Sequence, residues 1–261
     1  VVNGELEMIP SGRQVLNQFK VAPELEEIQG EKPPYAQYFV KFPLSDFQGY
    51  FDPKKSMKLL RREYDFIDRA VAATCDLLNV DPENTGVTGS LSYGLVEDDI
   101  DIMFIGSPEA NAATASRIRQ YLKDNPDSRV YELGKEWPLR FYFADTLICP
   151  FFRYSRADQI PLLRCEMETE AETVEVEGSV GEDKHNLYLP SLVRLGEIRS
   201  DNPLVDSDME MILYHGALRG EVWKGYRIKA RPSLVRVTVP GREPYRALLI
   251  VDPEQIDRIE T

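Results

Sequence analysis

The amino-acid sequence predicts an α+β fold, in which helices and strands alternate through the middle third and a mostly β C-terminal domain, a small barrel or sandwich, follows. Three patterns carry this reading. Apolar residues recur at three- and four-residue steps from Met57 to Leu78. Strand-like and helix-like segments alternate from Val87 to Phe152, and period-two alternation dominates the last hundred residues. Of 261 residues, 43% are hydrophobic and 29% charged, which provides the core of one large domain or two modest ones and excludes disordered composition.

Residues 1–50 read as a small, irregular, strand-containing segment with short apolar runs such as Tyr35 to Phe42. The first strong element runs from about Pro53 to Leu78. Met57, Leu60, Tyr64, Ile67, Val71, Cys75 and Leu78 line one face of an amphipathic helix there. Asp81-Pro82-Glu83-Asn84 breaks the chain, a short strand ends at Val87-Thr88, and Gly89-Ser90 follows. Asp99 to Ile105 reads as a strand stopped by Gly106. Ser107 as N-cap and Pro108 at the first helical position then start a helix through about Lys123, closed by Asn125-Pro126-Asp127. Arg129 to Leu133 and Leu139 to Phe152 are the next strands.

After Pro161 the texture changes. Thr173 to Val180 alternates, Leu187 to Leu195 reads as a strand, and Tyr226 to Val251 alternates again around a turn at Pro240-Gly241. Only the stretch around Asp208 to Leu218 looks helical. The expected organisation is therefore a small segment over 1–50, a mixed domain over 51–160, and a β-rich domain over 161–261.

Several classes are set aside by composition. No apolar run approaches the ~18 residues that cross a bilayer, and Val1 to Pro10 lack the basic flank and apolar stretch of a signal peptide. Cys75, Cys149 and Cys165 are odd in number and widely spaced, which fits neither a disulfide framework nor a zinc site and makes the reducing cytoplasm the expected compartment. His185 and His215 stand far apart, so no histidine-based metal site is expected. The net charge of −13 opposes nucleic-acid binding unless cations are gathered in one place. They are, in part: Arg219, Lys224, Arg227, Lys229, Arg231, Arg236, Arg242 and Arg246 give residues 219–246 a net charge of +6 and leave −19 on the remainder. That stretch is either an RNA- or DNA-facing patch or a basic edge packed against the acidic body.

The chemistry concentrates between Thr88 and Ile105. On a strand, residues two apart share a face, so Asp99 and Asp101 project together while Ile100 and Ile102 enter the core. Two adjacent carboxylates repel, and burying them uncompensated costs several kcal/mol, roughly. A divalent cation is the usual remedy, and one or two carboxylates plus substrate phosphates describe Mg²⁺ bound with a nucleotide. Gly89 permits close backbone approach to a ligand. The N–H groups that follow it and the Ser90 hydroxyl suit an anionic phosphate. The blander reading of Asp99 and Asp101, with Glu97 and Asp98, is a solvated acidic bend; Gly89-Ser90 before it and the apolar strand after it favour a metal–nucleotide site. Likewise, Lys54, Lys55, Lys58, Arg61 and Arg62 read as a solvated basic face before a phosphate clamp.

This stretch resembles the signature of the polymerase-β-type nucleotidyltransferase superfamily: a hydrophobic residue, Gly, Gly or Ser, a short spacer, then Asp-hydrophobic-Asp-hydrophobic. The chain is also similar to a family of predicted archaeal nucleotidyltransferases of unassigned substrate, through Val87-Thr88-Gly89-Ser90-Leu91, the Asp-Ile-Asp strand, and the stretch from Tyr214-His215-Gly216 to Arg231. The resemblance implies a mixed sheet backed by helices and transfer of a nucleoside monophosphate from an NTP to a hydroxyl acceptor. It makes Asp99 and Asp101 ligands of Mg²⁺ or Mn²⁺, and Gly89 and Ser90 holders of the outer phosphates. It also implies a third carboxylate on a later strand, for which Asp145 in Phe143-Ala144-Asp145-Thr146 is the candidate, completing a two-metal displacement. Asp98 departs from the pattern, which usually has a small polar residue there, and the spacer from Ser90 to Asp99 is short. The alternatives are a catalytically inactive nucleotide- or RNA-binding module, and an interaction protein docking through the +6 stretch.

Overall fold

Two helices open the part of the chain that the computed structural model describes, which comprises residues 51–93, 99–132 and 135–260. The 1–50 segment, Gly94, Glu97 and Asp98 lie outside the described residues. Where one helix was expected from Pro53 to Leu78 there are two, α1 (Pro53–Glu63) and α2 (Asp65–Leu78), because Tyr64 is extended at φ −125°, ψ 104°. Tyr64 N–H still closes α1 on the Leu60 carbonyl at 2.8 Å, and Arg61 Nε meets Asp68 Oδ1 across the break at 2.6 Å. The break keeps Met57 and Leu60 of α1 in the same core as Ile67, Val71, Cys75 and Leu78 of α2. The unbroken apolar spacing of the sequence gives no sign of the extended residue between the two helices.

The first sheet has five strands in the order β1-β2-β5-β4-β3. They are β1 (Thr85–Val87), β2 (Asp99–Gly106), β3 (Arg129–Glu132), β4 (Lys135–Phe143) and β5 (Thr146–Tyr154). Only β2 and β5 are parallel, which makes the sheet mixed. Helix α3 (Pro108–Asp124) follows β2, capped by the Ser107 hydroxyl accepting from Ala110 N–H. Strand periodicity sends Ile100, Ile102 and Phe104 into the core with Phe141, Ile148, Ala115, Ile118 and Leu122. The opposite face of β2 carries Asp99, Asp101 and Met103, all half-buried.

The single strand expected from Leu139 to Phe152 is a hairpin, β4 and β5, turned at Ala144 and Asp145. Both turn residues have positive φ, 48° and 61°, as a two-residue hairpin loop matched to strand twist requires. The continuous apolar run concealed the turn, since neither Gly nor Asn marks it.

The rest forms one eight-stranded sheet. Its strands are β6 (Glu166–Ala171), β7 (Val176–His185), β8 (Ser191–Arg199), β9 (Asp208–Leu213), β10 (Arg227–Ala230), β11 (Ser233–Thr238), β12 (Tyr245–Ile250) and β13 (Ile256–Glu260). Their order is β13-β10-β7-β8-β9-β12-β11-β6, with β9 and β12 the parallel pair. Where a barrel or sandwich was expected, the strands form one continuous hydrogen-bonded sheet ending in β13 and β6, and apolar clusters gather around Leu195, Met211 and Leu248 and around Ile212, Val235 and Leu249. The helix expected around Asp208 to Leu218 is β9 followed by a short 3₁₀ turn, Gly216–Leu218. Met and Leu favour helices in isolation, but here Met209, Met211 and Leu213 alternate into a core between two paired neighbours, and tertiary pairing overrides propensity. Among the described residues no helix is long and apolar enough to cross a membrane.

The two sheets share a core through Leu187, Tyr188 and Trp223. At this junction buried Asn111 donates from Nδ2 to the Arg153 carbonyl at 3.0 Å and to Tyr188 Oη at 2.9 Å. Tyr188 stacks on Tyr154 at 3.7 Å, and Tyr154 Oη meets His185 Nδ1 at 2.9 Å. Replacing Asn111 by Ala removes both of these hydrogen bonds and opens a small void, so Asn111→Ala is expected to lower unfolding free energy by about 1–3 kcal/mol. Urea denaturation measures this; an unchanged midpoint would show that the junction does not depend on Asn111.

Candidate functional site

The site is assembled where β1 ends. Thr88 N–H donates to the Asp101 carbonyl at 3.0 Å, carrying the β1–β2 ladder one residue past Val87. Gly89 then turns the chain at φ +64°, and Ser90, 7% exposed, begins the 3₁₀ turn Ser90–Tyr93. A Cβ on Gly89 would lie 1.9 Å from Asp101 Oδ2. Gly89 is therefore demanded twice, by its backbone conformation and by the carboxylate packed against it. The structure thus packs Gly89 against Asp101, with Ser90 next in the chain.

Asp99 and Asp101 project from the same face of β2, and a third group joins them. The register of β5 sets Cys149 opposite Asp101. Ligand-capable atoms of Asp99, Asp101 and Cys149 all lie within 4.8 Å of one another. The Cys149 thiol donates to Asp99 Oδ2 at 3.3 Å and accepts from Arg140 Nε at 3.1 Å. Arg140 also approaches Asp99 Oδ2 at 3.8 Å through Nη2 and pairs with Glu132 through Nη1.

Asp145, the expected third carboxylate, is not brought to the pair. It occupies the second position of the β4–β5 turn and is exposed. Leu147 and Cys149 share the face of β5 that pairs with Asp99 and Asp101, whereas Asp145 lies in the turn before that strand begins. The place beside Asp101 belongs to Cys149, a residue the sequence reading assigned no role. A same-parity polar residue further along that strand was the signal available.

Arg219 was also missed as a site residue. The β4–β5 ladder ends at the Phe141–Ile148 pair, just before Pro150, which has no N–H to continue it. Arg219 reaches from the second sheet's connection to this point. Its Nη2 donates to the Pro150 carbonyl at 3.0 Å, and its guanidinium lies 4.1 Å over the Phe151 ring, two residues along β5 from Cys149. Gly220 fixes the approach: its φ is +71°, and a Cβ there would meet Leu139 Cδ1 at 2.5 Å.

The electrostatics follow from this crowding. Burial, reinforced by Asp99, raises Asp101 to about 6, while Arg140 and Arg219 oppose the rise. Burial and the two carboxylates push the Cys149 thiol well above its usual range, so it is a neutral S–H at neutral pH. Burial lowers Arg219 to about 10, which leaves it charged. The donor set fits a hard divalent cation through its two carboxylates; the protonated thiol adds no hard ligand.

Half of the cations of the basic stretch 219–246 are ion-paired within the protein. Arg227 pairs with Glu177, Arg231 with Asp257, and Arg236 and Arg246 both with Glu170. Arg219 is turned into the site. A different basic surface stays concentrated: Lys54, Lys55, Lys58, Arg61 and Arg62 of α1 line a cleft of about 340 Å³ with Glu83 and Asp68, and only Arg61 is ion-paired among the described residues.

Compared with known proteins, the chain matches no family model, no curated protein and no solved structure.

Two outcomes are expected. Gly89→Ala forces both a left-handed alanine and displacement of Asp101, at a combined cost of at least ~1–2 kcal/mol, read as a lowered denaturation midpoint. The second concerns pH. Asp101 binds its proton more tightly folded than unfolded, so the folded state loses relative stability as pH rises from about 4 to about 6. Asp101→Asn carries no such penalty. It is expected to exceed the wild type by about 1–3 kcal/mol at pH 8 and to lose that advantage towards pH 4. Equal stabilities at both pH values would contradict the buried, strained carboxylate.

Proposed function

We propose that the chain is a divalent-cation-dependent nucleotidyltransferase, which moves a nucleoside monophosphate from an NTP to a hydroxyl acceptor. The observation that carries this reading is the packing of the Asp101 carboxylate against the Gly89-Ser90 turn, with Asp99 beside it. That arrangement puts two hard anionic ligands next to a close-approach backbone turn, which is what a cation–triphosphate complex needs.

In this reading Asp99 and Asp101 hold Mg²⁺ or Mn²⁺, and Gly89 and Ser90 receive the outer phosphates through the backbone and a hydroxyl. The cation supplies charge neutralisation at the phosphates and polarisation of the phosphorus centre. Asp99 is oriented by the Cys149 S–H and by Arg140. The hydrophobic side of β2, with Ile100 and Ile102 fully packed, keeps the two carboxylates in register.

A second reading, a nucleotide-binding module without transfer, is favoured by one specific observation. A neutral thiol stands where a third carboxylate would help remove the proton of the attacking hydroxyl. For a polyanionic acceptor such as RNA, the pairing of half of the cations of 219–246 moves the proposed contact surface to the α1 cleft.

Calorimetric titration of Mg-ATP into the wild type and into Asp99→Asn/Asp101→Asn tests the core of the proposal. At least a 100-fold loss of affinity is expected for the double variant, and equal binding would sink it. Incubation with α-labelled NTPs and an RNA pool then separates the readings. Label transferred to RNA supports a transferase, whereas tight Mg-ATP binding without pyrophosphate release supports the binding module.

A further inference from the structure

The acidic pair sits in a setting already supplied with positive charge. Arg140 lies beside Asp99, and Arg219 lies over Phe151, which shares a face of β5 with Cys149, the strand partner of Asp101. The two guanidiniums stand against the two aspartates, and with Glu132 engaging Arg140 from the far side the cluster keeps only one negative charge in excess. A free dication entering here meets two fixed cations and gains little from the aspartates. A triphosphate changes the balance, because it brings several negative charges of its own.

The donors of both arginines are also incompletely used. A guanidinium has five N–H donors. Arg219 spends one on the Pro150 carbonyl. Arg140 spends Nε on the Cys149 sulfur and Nη1 on Glu132, while Nη2 stands 3.8 Å from Asp99 Oδ2, beyond hydrogen-bonding distance. Planar forks with spare donors suit phosphate oxygens, which they can take in bidentate fashion. The chain also invests in placing Arg219, through the positive-φ Gly220 packed on Leu139 and the end of the β4–β5 ladder before Pro150.

We infer that Arg140 and Arg219 are phosphate-binding residues of this site, and that the site takes up a divalent cation only as its complex with a nucleoside triphosphate. The inference rests on the nucleotidyltransferase reading of Asp99 and Asp101 and adds to it a binding order and two residues. Without ligand, the guanidiniums occupy the cation's electrostatic role. When the complex arrives, they transfer their attraction to the phosphates and leave the carboxylates to the metal.

The test is a titration of Mn²⁺ alone and of Mn-ATP, followed by electron paramagnetic resonance and calorimetry, into the wild type, Arg219→Gln, Arg140→Gln and Arg219→Lys. The wild type is expected to bind Mn-ATP at least tenfold more tightly than Mn²⁺. Arg219→Gln and Arg140→Gln are expected to move the two affinities in opposite directions: Mn²⁺ alone tighter by about tenfold, Mn-ATP weaker by tenfold or more. Arg219→Lys keeps the charge without the fork, so it retains weak Mn²⁺ binding and recovers only part of the Mn-ATP affinity. A purely structural role would weaken both ligands together, and that result overturns the inference, as does a wild type that binds Mn²⁺ alone as well as Mn-ATP. If Asp99→Asn/Asp101→Asn keeps full Mn-ATP affinity, the underlying assignment of the aspartates fails instead. A wild type that binds neither ligand removes both.

Discussion

Two carboxylates held side by side on one face of a buried strand are the constraint around which the rest of this molecule is arranged. The pair cannot relax apart, because Ile100 and Ile102 on the other side of β2 are fully packed and fix the strand's pleat. Its mutual repulsion must then be met by whatever surrounds it. Around it stand a glycine that leaves room for Asp101, a thiol that hydrogen-bonds Asp99, and two guanidiniums drawn from different parts of the chain. Each of these neighbours is placed by an ordinary feature of strand geometry: a ladder register, a turn, or the end of a ladder.

The legibility of the fold divides along physical lines. Periodicity over long distances was readable: the apolar stripe through Met57 to Leu78, the Ser107-Pro108 helix start, and the alternation of the C-terminal strands all correspond to observed elements. What could not be read were the places where a pattern continues while the backbone changes course. Tyr64 interrupts a stripe whose apolar spacing is unbroken, and Ala144-Asp145 turns inside an apolar run. Asp208 to Leu213 has helix-forming residues whose conformation is decided by the strands on either side.

The site shows the same division. Gly89, Ser90, Asp99 and Asp101 fall within one stretch of thirteen residues, and local strand logic was enough to nominate them together. Cys149 was marked only by its parity along an apolar strand, while Arg140 and Arg219 are placed by contacts between strands and sheets of which sequence order holds no trace. The third-carboxylate expectation at Asp145 assumed an uninterrupted strand, and the hairpin turn puts that residue at the sheet's rim. Charge counted along the chain was misleading for a related reason. The net +6 of residues 219–246 looks like a surface patch in one dimension, but cross-strand partners such as Glu170 and Glu177 cancel much of it in three.

The place where the β4–β5 ladder ends has a consequence for how separable the two halves of this protein are. The carbonyl of Pro150 is satisfied by a side chain 69 positions further along the chain, from beyond the first four strands of the second sheet. A fragment ending at Tyr154 would hold every strand of the five-stranded sheet and still lack that bond and the charge that comes with it. The two sheets therefore are not modules that recombination could exchange freely. Any replacement for the C-terminal half would have to deliver an arginine to the same gap, at the same angle, past the same leucine.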